Sequence, residues 1–174
     1  MSPQEKSEVV RLLETSRDEL LAAARGVPSE KANVRTEADR WSVLECIDHI
    51  TTVEERFRGF LERPEQPKAP PVDRQKEAEL AARVSSRAVR VTAPEPVQPK
   101  GRFSGLAEAL EYFSACRATT IRFAEDHSAG LYQLAAEHPR FGLMNGTELL
   151  TIVASHARRH ADQIREIAAA LNQH

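Results

Sequence analysis

The chain has 174 residues, 41% of them apolar and 29% charged, with a formal net charge of -2. That size and mixture describe a single globular domain spanning 1–174, long enough to bury a real core. The near-neutral balance excludes a global field that would recruit nucleic acid or an anionic membrane, and no apolar run approaches the roughly 18 residues needed to cross a bilayer.

Ser2-Pro3-Gln4-Glu5 lacks the basic-then-apolar layout of a secretion signal, so a cytoplasmic location is expected. It reads as a helix start, with Ser2 as N-cap, Pro3 at the first helical position and Glu5 as capping-box partner. Val9, Leu12, Leu13, Leu20 and Leu21 then recur at helical spacing until Gly26 and Pro28 close the element. Residues 27–41 are a polar connector. At its end, Trp41 precedes a second capping box, Ser42-Val43-Leu44-Glu45, where a hydrophobic staple would sit. Val43, Leu44, Ile47, Ile50, Val53, Phe57 and Leu61 form the stripe of a second helix that stops before Pro64. His49 falls at one edge of that stripe, a place suited to a cleft-facing residue or to a buried histidine bonded to a carbonyl.

Residues 73–88 favour a short, surface-lying helix. The three prolines within 91–101 exclude regular structure there and call for an extended, partly polyproline II run. Ser104 is the expected cap of a third long helix carried by Leu106, Leu110, Tyr112, Phe113, Cys116, Ile121 and Phe123. Residues 131–142 read as irregular, and His138, held out of helix by Pro139, as a surface loop position first, with a place facing the same cleft as the alternative. Asn145 caps the fourth long helix through Glu148, and Leu149, Ile152, Val153, Ile164 and Ile167 mark its apolar face. The sum is an all-α four-helix bundle with a long Pro-rich crossover between the second and third long helices. Cys46 and Cys116 share no C-x-x-C spacing and lie in helical segments, so buried reduced thiols are expected rather than a disulfide.

His156 and His160 stand four residues apart on the fourth helix, about 6 Å along its axis and on one face. Such a pair alone also arises on a solvated helix face. Here it continues the apolar stripe and so faces the interior, where polar groups need partners. His49 would add a third imidazole from a facing helix. Three protein ligands leave a coordination position open, and imidazole-only ligation suits zinc, nickel or ferrous iron.

Four segments in order, Arg40 to Ile50, Ala93 to Phe103, His138-Pro139-Arg140-Phe141-Gly142 and His156 to Ile164, carry a further likeness. The chain resembles the DinB-like (DinB/YfiT) superfamily of metal-binding four-helix bundles over nearly its whole length. The resemblance implies a divalent metal on His49, His156 and His160. Its characterised relatives include thiol-dependent enzymes, a maleylpyruvate isomerase using mycothiol and S-transferases using bacillithiol or related thiols. It therefore implies a low-molecular-weight thiol as cofactor, a small-molecule thiol or electrophile as partner, and a homodimer, as is common among such bundles. A metal-dependent hydrolase, a non-catalytic metal-binding or dimerisation module, and a dry histidine network are the alternatives.

Four neighbours of the histidines have open roles. Glu45, one turn before His49, could orient it or act as a base, although its capping-box duty explains it equally. Gln163 shares the face of His160 and can hydrogen-bond there. Arg158 and Arg159 could hold an acidic group, or be ordinary surface arginines. Asp48 and Asp162 adjoin ligands but point roughly 100° away.

Overall fold

The computed structural model describes residues 3–173, with side chains from Glu8 to Gln173. The expected Ser2 cap and its Glu5 partner lie outside the described residues. The elements run α1 (Pro3–Arg25), α2 (Val43–Leu61), α3 (Arg74–Ser85), α4 (Leu106–Asp126), β1 (Ala135–His138), β2 (Gly142–Asn145) and α5 (Gly146–Leu171). Both α4 and α5 pack along α1 and α2, so the four long helices stand in ring order α1, α5, α2, α4. The shorter α3 lies along the outside of α5. No described helix is long and apolar enough to cross a membrane.

Two of the starts are the capping boxes legible in the sequence. Ser42 Oγ accepts from Glu45 N at 3.2 Å while Ser42 N donates to Glu45 Oε2 at 2.8 Å. Asn145 and Glu148 repeat the exchange at 2.9 and 3.0 Å. The start of α4 departs from expectation. Its N-cap is Gly105, and Ser104 instead gives its N–H and hydroxyl to Glu108 Oε2.

Two further expectations are corrected. Residues 131–142 are irregular only in part, because β1 and β2 form an antiparallel hairpin with His138 paired to Gly142. Strand residues as weak as Ala135-Ala136-Glu137-His138 carry no strand signal, and the turn makes the hairpin. Gly142 takes φ +75, and His138 Nδ1 accepts the N–H groups of Arg140 and Phe141 at 3.0 and 3.2 Å. The Pro-rich run is not wholly extended either. It contains a 3-10 turn at Glu95–Val97 whose fixed proline φ suits that geometry. At the entry to α5, a Cβ on Gly146 would fall 2.5 Å from the carbonyl of Leu131, so only glycine fits that approach.

The core is divided in two. One cluster gathers Leu13, Phe57, Leu61, Leu149 and Val153, the other Leu20, Ile47, Ile50, Phe113 and Ile164. Each long helix passes from one cluster to the other at a polar residue: Ser16 on α1, His49 and Glu54 on α2, Arg117 on α4, and Ser155 and His156 on α5. A polar layer thus crosses the bundle at mid-height. Its structural half is the pair Arg117–Glu54, with no exposure at Arg117 and 1% at Glu54, joined by two bonds of 2.8 Å. Arg117 Nη1 also donates to Leu13 O at 2.8 Å and Ser16 Oγ at 2.7 Å, which ties α1, α2 and α4 together.

Removing one member of a buried pair leaves the other uncompensated. Arg117→Ala is expected to destabilise the protein by about 3–5 kcal/mol in denaturant unfolding. Arg117→Met with Glu54→Leu should recover most of that loss. Equal stability of the single variant and the wild type would contradict this role.

Candidate metal centre

The three histidines read from the sequence converge in the other half of that layer. His49 and His160 are buried, and His156 is half-buried. His49 Nε2 lies 3.0 Å and His160 Nε2 3.1 Å from His156 Nε2. In a tetrahedral zinc site with Zn–N of about 2.0–2.1 Å, the ligand nitrogens stand roughly 3.3 Å apart. The two sides that meet at His156 are therefore already close to the size a divalent ion needs, and all the ligand atoms lie within 4.8 Å of one another.

Hydrogen bonds at the far side of each ring set the protons. His49 Nδ1 lies 2.6 Å from Val97 O, and His160 Nδ1 lies 2.8 Å from Gln163 Oε1. Both partners are acceptors, so each Nδ1 carries its hydrogen and each Nε2 presents a lone pair to the centre. His156 can donate one Nε2–H to at most one of them. Protons alone therefore leave this triangle short of donors, and a cation satisfies all three lone pairs together. The fit to a divalent metal rests on that donor set.

Burial, the largest cause, lowers the pKa of His49. Burial and mutual repulsion hold His156 and His160 well below the ordinary value of 6.5. All three therefore stay neutral, as metal ligation requires. Trp41 stands over the cluster, with its ring centroid 4.8 Å from that of His49 and 6.2 Å from that of His160.

The carbonyl that orients His49 comes from the Pro-rich crossover, and that crossover is clamped by the neighbouring residue. Asp48 Oδ2 accepts the backbone N–H groups of Lys100 at 2.8 Å and Arg102 at 3.2 Å. Asp48 thus acts on the site through the loop, a role hidden in a sequence that shows only its direction on the helix. Val97 likewise gives no signal, because a backbone carbonyl has no letter. Trp41, legible only as a staple residue, turns out to cover the rings.

Of the residues with open roles, Gln163 is at the site as expected. Glu45 is not, for its carboxylate is held by Ser42 N and by Arg35. Arg158 pairs with Glu19 at 2.9 Å, outside the cleft, and Asp162 with Arg165. Arg159 lines the cleft and donates to the carbonyls of Ser86 and Val89. His138 is the misplaced residue. It lines the same cleft rather than a bare surface, its ring edge-on to Phe57 at 5.0 Å. Burial and nearby Arg140 push its pKa down to about 4. The cleft above the triangle has a volume of about 970 Å³ and is walled by α2, the last turn of α3, the crossover, the hairpin turn and α5. Cys46 and Cys116 are buried free thiols as expected, with pKa values pushed up to about 12 and about 11, chiefly by burial.

The DinB superfamily model matches residues 12–164. The uncharacterised protein YuaE of Bacillus subtilis (strain 168) is 22% identical over 143 residues, covering 82% of this chain and 86% of YuaE. A stretch of the chromosome partition protein Smc of Mycolicibacterium paratuberculosis is 30% identical over 159 residues. It spans 80% of this chain but only 13% of Smc, too small a part to bear on that protein's activity. Among solved structures, YfiT from Bacillus subtilis superposes with a TM-score of 0.63 at 14% identity, over 99% of this chain and 90% of YfiT. YfiT is described as a probable metal-dependent hydrolase with an unusual four-helix bundle topology, and at this identity the likeness establishes the fold.

Two outcomes are expected. Asp48→Ala should free the crossover and weaken metal affinity about 10- to 100-fold, measured by competition with a fluorescent chelator; unchanged affinity would contradict the clamp. The four histidines have folded-state pKa values below 6.5. Between those values and 6.5 the unfolded chain binds more protons, so stability is lost as the pH is lowered. Metal-free protein should hold its melting temperature above about pH 6.5 and lose it progressively towards pH 4, whereas a flat profile would contradict the burial of neutral rings.

Proposed function

The chain belongs to the DinB superfamily, and on that premise we propose that it is a metal-dependent S-transferase. His49, His156 and His160 hold one divalent cation through Nε2, with zinc or nickel the best match to imidazole-only ligation and ferrous iron third. The observation that carries this reading is the convergence of three Nε2 atoms at the floor of an open cleft, with no fourth protein donor among the described residues. A bound dication would lower the pKa of a ligating thiol or water and so supply a nucleophile at neutral pH.

The residues around the triangle favour an external thiol over water. Neither cysteine of the chain can serve, because both thiols are buried and held protonated. Hydrolysis also needs a group to take a proton during attack and one to return it. The two carboxylates of the cleft, Asp39 and Glu166, are engaged by Arg90 and Arg87. His138 accepts two backbone N–H groups at Nδ1, so its Nε2 carries the hydrogen and can only donate. A thiol that has lost its proton before the reaction needs no such base. Val97 and Gln163 hold the ligand tautomers, and Trp41 shields one side of the rings from water.

The test is turnover of monochlorobimane by metal-loaded protein with N-acetylcysteine as the thiol. The expected result is a thiol-dependent rate that falls at least about 100-fold with chelator or in His160→Ala, and that returns when metal is restored to the wild type. Thiol-independent ester hydrolysis would replace this reading with a metal-dependent hydrolase. Stoichiometric metal with neither activity would leave a non-catalytic metal-binding bundle.

A further inference from the structure

The wall of the cleft has a charge character that the metal reading does not use. Seven arginines line it against two carboxylates, Asp39 and Glu166, in a chain whose formal net charge is -2. Three of the seven are paired. Arg90 meets Asp39 at 3.2 Å, Arg87 meets Glu166 at 2.9 Å, and Arg40 reaches Glu37 at 3.5 Å. The other four, Arg56, Arg83, Arg140 and Arg159, have no carboxylate partner among the described residues.

Two of these four are placed together. The guanidinium carbons of Arg83, from the last turn of α3, and Arg140, from the hairpin turn, stand over the Phe141 ring at 5.3 and 5.4 Å from its centroid. The sequence separates them by more than fifty residues, and the fold sets both guanidinium groups against the one ring. Arg159 approaches from α5, where Arg87 and Arg140, after burial, lower its pKa. His138, fixed as an Nε2–H donor, adds a neutral donor beside Arg140. Between this wall and the histidines the lining is apolar, with Phe57, Val84 and Ile152.

Like charges gathered along a concave wall repel one another and focus a positive potential into it. The planar fork of a guanidinium matches the oxyanions of a carboxylate or phosphate. A volume of about 970 Å³ is that of a small-molecule site rather than a macromolecular groove. We propose that the cleft selects a small amphipathic anion, whose carboxylate or phosphate is held by Arg83, Arg140 and Arg159 and whose apolar body crosses Phe57 and Val84 towards the three histidines. This assigns the class of molecule taken by the site of the proposed function and rests on that reading for its metal end only.

The experiment is calorimetric titration of phenyl phosphate, benzoate and, as the neutral control, benzyl alcohol into wild type and the Arg83→Gln Arg140→Gln double variant. Both side chains are exposed, so the substitutions leave the core untouched. Melting temperature and metal content confirm an intact fold and triangle. At least one anion is expected to bind tenfold or more tighter than benzyl alcohol, with affinity falling as salt rises. The double variant should lose tenfold or more of that affinity. Preference for phenyl phosphate assigns a phosphate ester and preference for benzoate a carboxylic acid. Equal binding of anion and alcohol, or undiminished anion binding by the double variant, overturns the proposal. Repeating the titration with chelated protein separates the two readings. Anion binding that persists where no metal can be loaded leaves the arginine wall standing and removes the metal.

Discussion

A layer of polar side chains at mid-height is the constraint on which the rest of this bundle depends. Four helices packed by leucine and isoleucine alone have many nearly equal registers. Here each long helix must bring a particular polar residue to one level, because a buried polar group left without its partner costs more than a packing defect. Arg117 reaches Glu54, Leu13 O and Ser16 together only when α1, α2 and α4 are aligned. Once they are, α2 presents His49 at the height where α5, packed against both α1 and α2, presents His156 and His160.

The two halves of the layer differ in how they are satisfied. The Arg117–Glu54 half is closed, with donors and acceptors matched inside the protein. The histidine half is matched only at its outer edge, where Val97 O and Gln163 Oε1 take the Nδ1 protons. At its centre, three Nε2 atoms share at most one proton. That imbalance is poor structural economy and good metal chemistry, since neutral, pre-oriented nitrogens pay little reorganisation on binding an ion. The crossover belongs to the same device. Asp48 clamps Lys100 and Arg102, which fixes the loop whose carbonyl orients His49.

How far the sequence exposed this arrangement follows from what letters encode. Periodicity revealed the four long helices and the interior placement of His156 and His160, and the capping boxes at Ser42 and Asn145 placed two helix starts to the residue. The hairpin escaped notice because its strands are short and made of weak formers, and its stability lies in Gly142 and the His138 ring. Gly105 holds the cap position of α4, and Ser104, one residue earlier, instead gives its N–H and hydroxyl to Glu108. The Val97 carbonyl, the Asp48 clamp and the arginine wall could not be read at all. They join residues some fifty or more positions apart, and only the folded crossover, α3 and hairpin bring them to the cleft.

The central claim is that the three Nε2 atoms form one metal site. Trp41, the sole tryptophan, lies 4.8 Å from His49 and reports on it directly. Chelated protein titrated with cobalt(II) should show Trp41 quenching and the intense visible absorption of a low-coordinate ion, both saturating at one ion per chain, and both absent in His156→Ala. Cobalt that binds without reaching saturation at one equivalent, or that leaves Trp41 undisturbed, would contradict the account.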